Sequence, residues 1–65
     1  MNNDQLKGKW KQLRGKVKAH WGELTDDDLQ AAEGNMEQLA GKLQERYGIT
    51  REEAEKQIQE FSARL

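Results

Sequence analysis

The six glycines of this chain form two triplets with identical internal spacing, which are Gly8, Gly15, Gly22 and Gly34, Gly41, Gly48. When the second triplet is aligned on the first, Leu13 also matches Leu39 and Trp21 matches Tyr47. A segment of about 25 residues is therefore present twice, in repeat units of about 8–32 and 34–57. This duplication constrains the fold, because the two copies should adopt similar structures and pack against each other.

Large apolar residues recur every three or four positions along the whole chain. They are Leu6, Trp10, Leu13, Val17 and Trp21, then Met36, Leu39, Leu43 and Tyr47, and finally Ala54, Ile58, Phe61 and Leu65. At about 100° per residue this spacing gathers the residues of each group on one helical face. The chain also lacks proline. The pattern predicts helices over about 4–21, 26–33, 35–46 and 51–63.

Two threonines mark predicted helix starts. Thr50 is expected to cap a helix through its hydroxyl, with Glu53 completing a capping box, and Thr25 with Asp28 is the weaker version of the same motif. The acidic residues Asp26, Asp27 and Asp28 also suit the positive end of a helix dipole. Both starts fall where the duplication places them.

The glycines have different expected roles. Gly22 and Gly48 are predicted to close helices in the left-handed conformation, whereas Gly34 either ends the second helix or weakens a continuous one. On a helical wheel, Gly8, Gly15 and Gly41 lie opposite the apolar face and point outward. Three explanations for these outward glycines stay open: relics of the duplication, a flat surface for close approach of a partner backbone, and deliberate marginal stability.

The expected architecture is all-α, a single domain over residues 1–65. Four short helices form two helical hairpins, and neither hairpin can bury its apolar face alone, so the two should pack across each other. The chain has no cysteine, which excludes disulfides and thiolate metal sites. Neither a secretion signal nor an apolar run long enough to span a bilayer is present, so we expect a soluble, cytoplasmic protein.

Charge is segregated along the chain. Residues 1–22 contain six Lys or Arg against Asp4 alone, whereas residues 23–65 hold five basic and eleven acidic residues. In the first predicted helix a basic stripe runs beside the apolar face, formed by Lys7, Lys11, Arg14 and Lys18, while Lys9 and Lys16 lie on the opposite flank. The acidic second helix can neutralise the stripe, and a net charge of -1 disfavours nucleic acid as its partner without excluding it. A membrane surface would require the tryptophans to leave the core and is not expected.

The sequence offers little to a catalytic or cofactor-binding role. Trp10 and Trp21 share the apolar face and are interpreted as core residues, and His20 is a lone histidine beside a helix end, where it could interact with the terminal carbonyls. The only serine, Ser62, lies near the chain end without a paired base. We expect no enzyme activity, no cofactor, no metal and no small-molecule substrate.

Three segments of the chain carry a recognisable pattern, which are GKWKQLRGKVK at 8–18, WGELTDDD at 21–28 and QLAGKLQERYG at 38–48. In these segments the chain resembles the CsbD-like family of small bacterial proteins. The resemblance implies two orthogonally packed helical hairpins and a cytoplasmic protein that accumulates under general stress, with no established molecular activity and no active-site residues.

Two functions follow from these observations. The first is a non-enzymatic general stress-response protein, monomeric and acting as a hydrophilic protectant. The alternative is a small binding module whose stripe of Lys7, Lys11, Arg14 and Lys18 contacts nucleic acid or an acidic protein.

Overall fold

A computed structural model describes the backbone of residues 3–64 and the side chains of residues 6–64. All regular secondary structure in residues 3–64 is helical. The five helices are α1 (Asn3–Gly8), α2 (Trp10–His20), α3 (Asp26–Ala32), α4 (Met36–Tyr47) and α5 (Arg51–Ala63). The predicted all-α class is confirmed. The helix count differs from the predicted four, because the first helix is broken.

The break lies at Lys9, whose backbone angles of φ -108° and ψ 7° are not helical. The preceding residue is Gly8, and a glycine makes a helix break inexpensive because it has low helix propensity. The break also separates α1, which carries the buried Leu6, from α2. The prediction of one continuous helix over 4–21 is therefore wrong.

α3 ends at Ala32 with Glu33 as its C-cap, and Gly34, the next residue, lies close to the backbone of α1. Glu33 and Gly34 both have positive φ, at 47° and 77°, so the chain turns sharply before α4. A Cβ atom at Gly34 would lie 2.6 Å from Lys7 Cα, which no side chain allows. The open question at this joint is thus resolved in favour of a helix end, held by close packing of two backbones.

The predicted left-handed glycine is correct at one loop and wrong at the other. Gly48 caps α4 with φ 65°. Gly22 has no positive φ, and α2 is instead capped by Trp21 at φ -117°. Thr25 follows Trp21 by four positions, whereas Thr50 follows Tyr47 by three, so the first loop is one residue longer. The Leu24 amide donates to the Trp21 carbonyl across that longer loop, at 3.1 Å, so it turns without a left-handed residue.

The strengths of the two predicted capping boxes are reversed. The Thr25 hydroxyl accepts from the Asp28 amide, and the Asp28 carboxylate accepts from the Thr25 amide, so the box is reciprocal. At Thr50 the hydroxyl accepts from the Glu53 amide, while the Glu53 carboxylate accepts from Gln57.

One apolar core runs through the described part of the chain, and it contains most of the predicted apolar faces. Tyr47 is an exception, since it is 40% exposed and its hydroxyl accepts from the Glu23 amide. Met36 is only partly buried, and Leu65 lies outside the described residues. The core residues are Leu6, Trp10, Leu13, Val17, Trp21, Leu24, Leu29, Ala32, Leu39, Ala40, Leu43, Ala54, Ile58 and Phe61.

Consecutive helices pack against each other along the chain, from α1 on α2 to α4 on α5. Both indoles add polar links between helices. Trp10 Nε1 donates to the Leu29 carbonyl of α3 at 3.1 Å, and Trp21 Nε1 donates to Gln57 Oε1 of α5 at 2.9 Å. The burial of both tryptophans confirms their interpretation as core residues. The orthogonal packing of two hairpins stays a prediction.

Candidate functional site

The four residues of the predicted basic stripe are all exposed, but they lie on two helices rather than one. Lys7 belongs to α1, and Lys11, Arg14 and Lys18 belong to α2. The break at Lys9 therefore separates Lys7 from the rest of the stripe. Lys7 also lines an open cleft of about 510 Å³ beside Gly34 and Asn35.

The last cation of the stripe is already paired with an acid of the same chain. Lys18 Nζ donates to Asp26 Oδ1 at 2.7 Å, which joins the last turn of α2 to the first turn of α3. This hydrogen bond, and the charge of Lys18, hold the pKa of Asp26 below its usual value, and Arg14 contributes to the same shift. Both partners stay largely solvated, with side chains 48% and 83% exposed. The pair is therefore weak and exchangeable.

Further exposed cations lie on the side of α2 away from the stripe. Lys16 is exposed on that flank, and Lys9, the N-cap residue before α2, is exposed as well. Gly15 lies between the two flanks, and a Cβ atom placed on it would meet no atom within 4 Å. We use the name basic face for the exposed cations Lys9, Lys11, Arg14, Lys16 and Lys18.

A partly buried ion pair that sequence reasoning missed lies at the start of α3. Asp28 is only 4% exposed, and Arg46 of α4 donates two hydrogen bonds to its carboxylate. Those bonds, followed by the amide of Thr25, lower the pKa of Asp28 to about 2, and the carboxylate in turn raises the pKa of Arg46. Lys42 Nζ approaches the same carboxylate at 3.8 Å. The spacing of Lys42 and Arg46 places both cations on one face of a helix, which is the only sign of this site in the sequence. No pattern of neighbouring residues indicates that this face packs next to Asp28.

His20 packs against aromatic rings at the end of α2. Its ring lies 4.6 Å from that of Trp21, edge to face, and 5.2 Å from that of Phe61. The expected interaction of His20 with helix-terminal carbonyls is replaced by these ring contacts. The described side chains, those of residues 6–64, include no group of three His, Asp or Glu that could hold a metal ion. In the same part of the chain, no helix combines the length and apolar character needed to cross a bilayer.

These features define a class of protein: a small, all-helical domain whose distinctive chemistry lies in surface charge. The chain belongs to the CsbD-like family, whose family model matches residues 4–56.

Proteins from several bacteria are similar to it over nearly their whole length. A UPF0337 protein of Pseudomonas aeruginosa is 65% identical over 65 residues, covering 100% of both chains. A UPF0337 protein of Bordetella pertussis is 64% identical over 61 residues, which covers 94% of this chain and 92% of the relative. The UPF0337 protein YjbJ of Escherichia coli is 52% identical over 64 residues, covering 98% and 93%. These similarities confirm the resemblance stated from the sequence.

Proposed function

We propose that this protein is a non-enzymatic general stress-response protein of the cytoplasm and that it acts as a hydrophilic protectant. The observation that carries the proposal is the contrast between core and surface. Among residues 6–64, Tyr47 is the one large hydrophobic side chain that is exposed, while 35% of the chain is charged. Such a surface binds water and offers few apolar anchors for a tight complex.

The glycines inside helices support the same proposal. Gly15 of α2 and Gly41 of α4 face open space, where alanine would stabilise the helix by about 0.8–1 kcal/mol. A domain of this size has only a few kcal/mol of net stability, so these glycines lower it substantially. Of the three explanations for the outward glycines, this proposal adopts deliberate marginal stability.

Recovery of an unrelated enzyme after drying tests the proposal. The enzyme is dried and rehydrated with this protein, with an equal mass of an inert globular protein, or with buffer alone. We expect the largest recovered activity with this protein. Recovery equal to that with the inert protein would reject the protectant function.

A second candidate is a binding module for an acidic partner, and the exposure of Lys7, Lys11, Arg14 and Lys18 favours it. The test measures the affinity of the protein for a nucleic acid at low salt and then at increasing salt. Contacts to a polyanion weaken steeply as salt is added, so the affinity should fall. Changing Lys11 and Arg14 to Gln should weaken such binding for all nucleic-acid sequences alike. An absence of binding at low salt would reject this candidate.

We further infer that residues 1–65 form one domain built from two copies of the same unit. The start of α2 at Trp10 and the start of α4 at Met36 have the same spacing as Gly8 and Gly34. Thr25 and Thr50 also cap the helices that follow the third glycine of each triplet. Thermal unfolding followed by circular dichroism and by tryptophan fluorescence should give one coincident transition. Two separate transitions would contradict a single domain.

A further inference from the structure

We infer that the basic face of α2 binds the sugar-phosphate backbone of a nucleic acid and that Asp26 competes with that backbone for Lys18. The inference rests on the second candidate function and deepens it. It names the partner and adds an internal competitor, which the exposed stripe alone does not imply.

The arrangement of cations on α2 suits a linear polyanion. Residues 7–22 contain no acidic residue. Lys11, Arg14 and Lys18 follow one flank of α2, while Lys16 lies on the other flank and Lys9 precedes the helix as its N-cap. From Lys11 to Lys18 the helix rises about 10 Å, and a nucleic-acid strand carries one phosphate per about 3.4 Å of its axis, so this flank spans about three phosphates. The open surface at Gly15 leaves room for a strand between the flanks.

The same face lacks what an acidic protein partner or base recognition would need. Stable protein interfaces depend on apolar or aromatic anchors, and the exposed Tyr47 lies on α4, not on α2. Base stacking needs exposed rings, but Trp10 and Trp21 are only 7% and 3% exposed. Contacts to the phosphates alone carry no sequence information. The expected binding is therefore electrostatic and independent of sequence.

Asp26 occupies the position of an anionic ligand at one end of the face. Its carboxylate accepts from Lys18 at 2.7 Å, and both side chains are largely solvated, so a phosphate can displace it at little cost. The other acidic residues of the chain oppose binding less strongly than the net charge suggests. The molecule measures 28 × 22 × 17 Å, while charges further apart than about 8 Å are largely screened at physiological salt.

The test compares Asp26→Asn with Asp27→Asn in binding to a fluorescently labelled single-stranded oligonucleotide, measured by polarisation as a function of salt. The two variants change the net charge equally and lie in the same turn of α3, but the structure gives Asp27 no ion pair with another described side chain. We expect Asp26→Asn to bind about two- to fivefold more tightly than Asp27→Asn. Its plot of log affinity against log salt should be steeper by about 0.7, the contribution of one more cation on a single strand.

Lys18→Gln provides the second arm of the test. In the Asp26→Asn background it should remove the gain in affinity, whereas in the wild-type background it should lower the affinity by a smaller factor, because Asp26 already competes there for Lys18. Circular dichroism verifies that each variant is folded.

Several results would overturn the inference. Equal affinities of Asp26→Asn and Asp27→Asn would reject the competitor role of Asp26 while leaving the second candidate function intact. Equally tight binding of polyglutamate of matched charge would reject a phosphate backbone as the preferred partner. An absence of binding by every variant at low salt would reject both the inference and the candidate function on which it rests.

Discussion

Asp28 and Arg46 join the first turn of α3 to the last turn of α4 through two hydrogen bonds. Arg46 Nε donates to Asp28 Oδ2 at 2.8 Å, and Nη2 donates to Oδ1 at 3.1 Å. The carboxylate also accepts from the Thr25 amide, so one side chain both caps α3 and connects it to α4. With side chains 5% and 44% exposed, the pair is partly shielded from solvent, which strengthens it relative to an ordinary surface pair.

Replacing Asp28 by Asn should lower the free energy of unfolding by about 1–2 kcal/mol, because the charged partner of Arg46 is lost from a buried position. Urea unfolding followed by tryptophan fluorescence measures the change. Asp27→Asn is the matched control, since Asp27 is exposed in the same turn. Equal effects of the two variants would show that the Asp28–Arg46 pair does not stabilise the fold.

The stability of the fold should also depend on pH through Asp28. Its pKa is about 2 in the folded protein, against 3.8 for the ordinary group, so the unfolded chain binds the proton more readily. The stabilisation is fully present above about pH 5 and is lost as the pH falls through 3.8 toward 2, by at most about 2 kcal/mol. Urea unfolding at a series of pH values should show this loss for the wild type and a smaller loss for Asp28→Asn. Parallel curves for the two proteins would contradict the assigned origin.

Gly15→Ala and Gly41→Ala should each stabilise the protein. Both positions are helical and face open space, so the added methyl group costs nothing sterically and the unfolded chain loses conformational freedom. We expect a gain of about 0.8–1 kcal/mol per substitution, or roughly 4–8 °C in melting temperature. Differential scanning calorimetry measures the shift. An unchanged or lower melting temperature would mean that another backbone packs on these positions.

Gly34→Ala should be much more destabilising than Gly48→Ala. Both glycines have positive φ, so each substitution carries the strain of a left-handed alanine, about 1–2 kcal/mol. At Gly48 nothing lies within 4 Å of the added Cβ, whereas at Gly34 it would meet Lys7 Cα at 2.6 Å and force α1 away.

Melting temperatures of the two variants, recorded by circular dichroism, separate the steric effect from the backbone strain. Gly48→Ala serves as the control for strain alone. Similar melting temperatures would show that the close contact of Gly34 with Lys7 is not needed for stability.

Features of the fold could be predicted from the sequence where they depend on interactions between residues close together in the chain. The apolar periodicity of α2, α4 and α5 depends on residues three or four positions apart, so most of the residues that these helices bury were correctly predicted, with the exposed Tyr47 as an exception. Thr50 and Gly48 were likewise identified because capping involves immediate neighbours. The break at Lys9 was missed, since α1 packs on Gly34, which is distant in sequence.

The charged groups show the same limit. The stripe followed from helical spacing alone, and its four side chains are indeed exposed. The sequence also indicated that acids of the second helix could neutralise it, but not that Lys18 pairs with Asp26. Asp28 was predicted as the capping-box partner of Thr25 but not as an ion-pair partner, because Arg46 comes close to it only when α3 and α4 pack together.

The dependence of enzyme recovery on the amount of this protein tests the central claim most directly. A fixed quantity of an unrelated enzyme is dried with increasing masses of the protein, and its activity is measured after rehydration. A hydrated surface with no dedicated site for the enzyme predicts recovery that rises steadily with mass and shows no break at equimolar ratio. Recovery that saturates at a defined stoichiometry, or that stays at the level of buffer alone, would contradict this account.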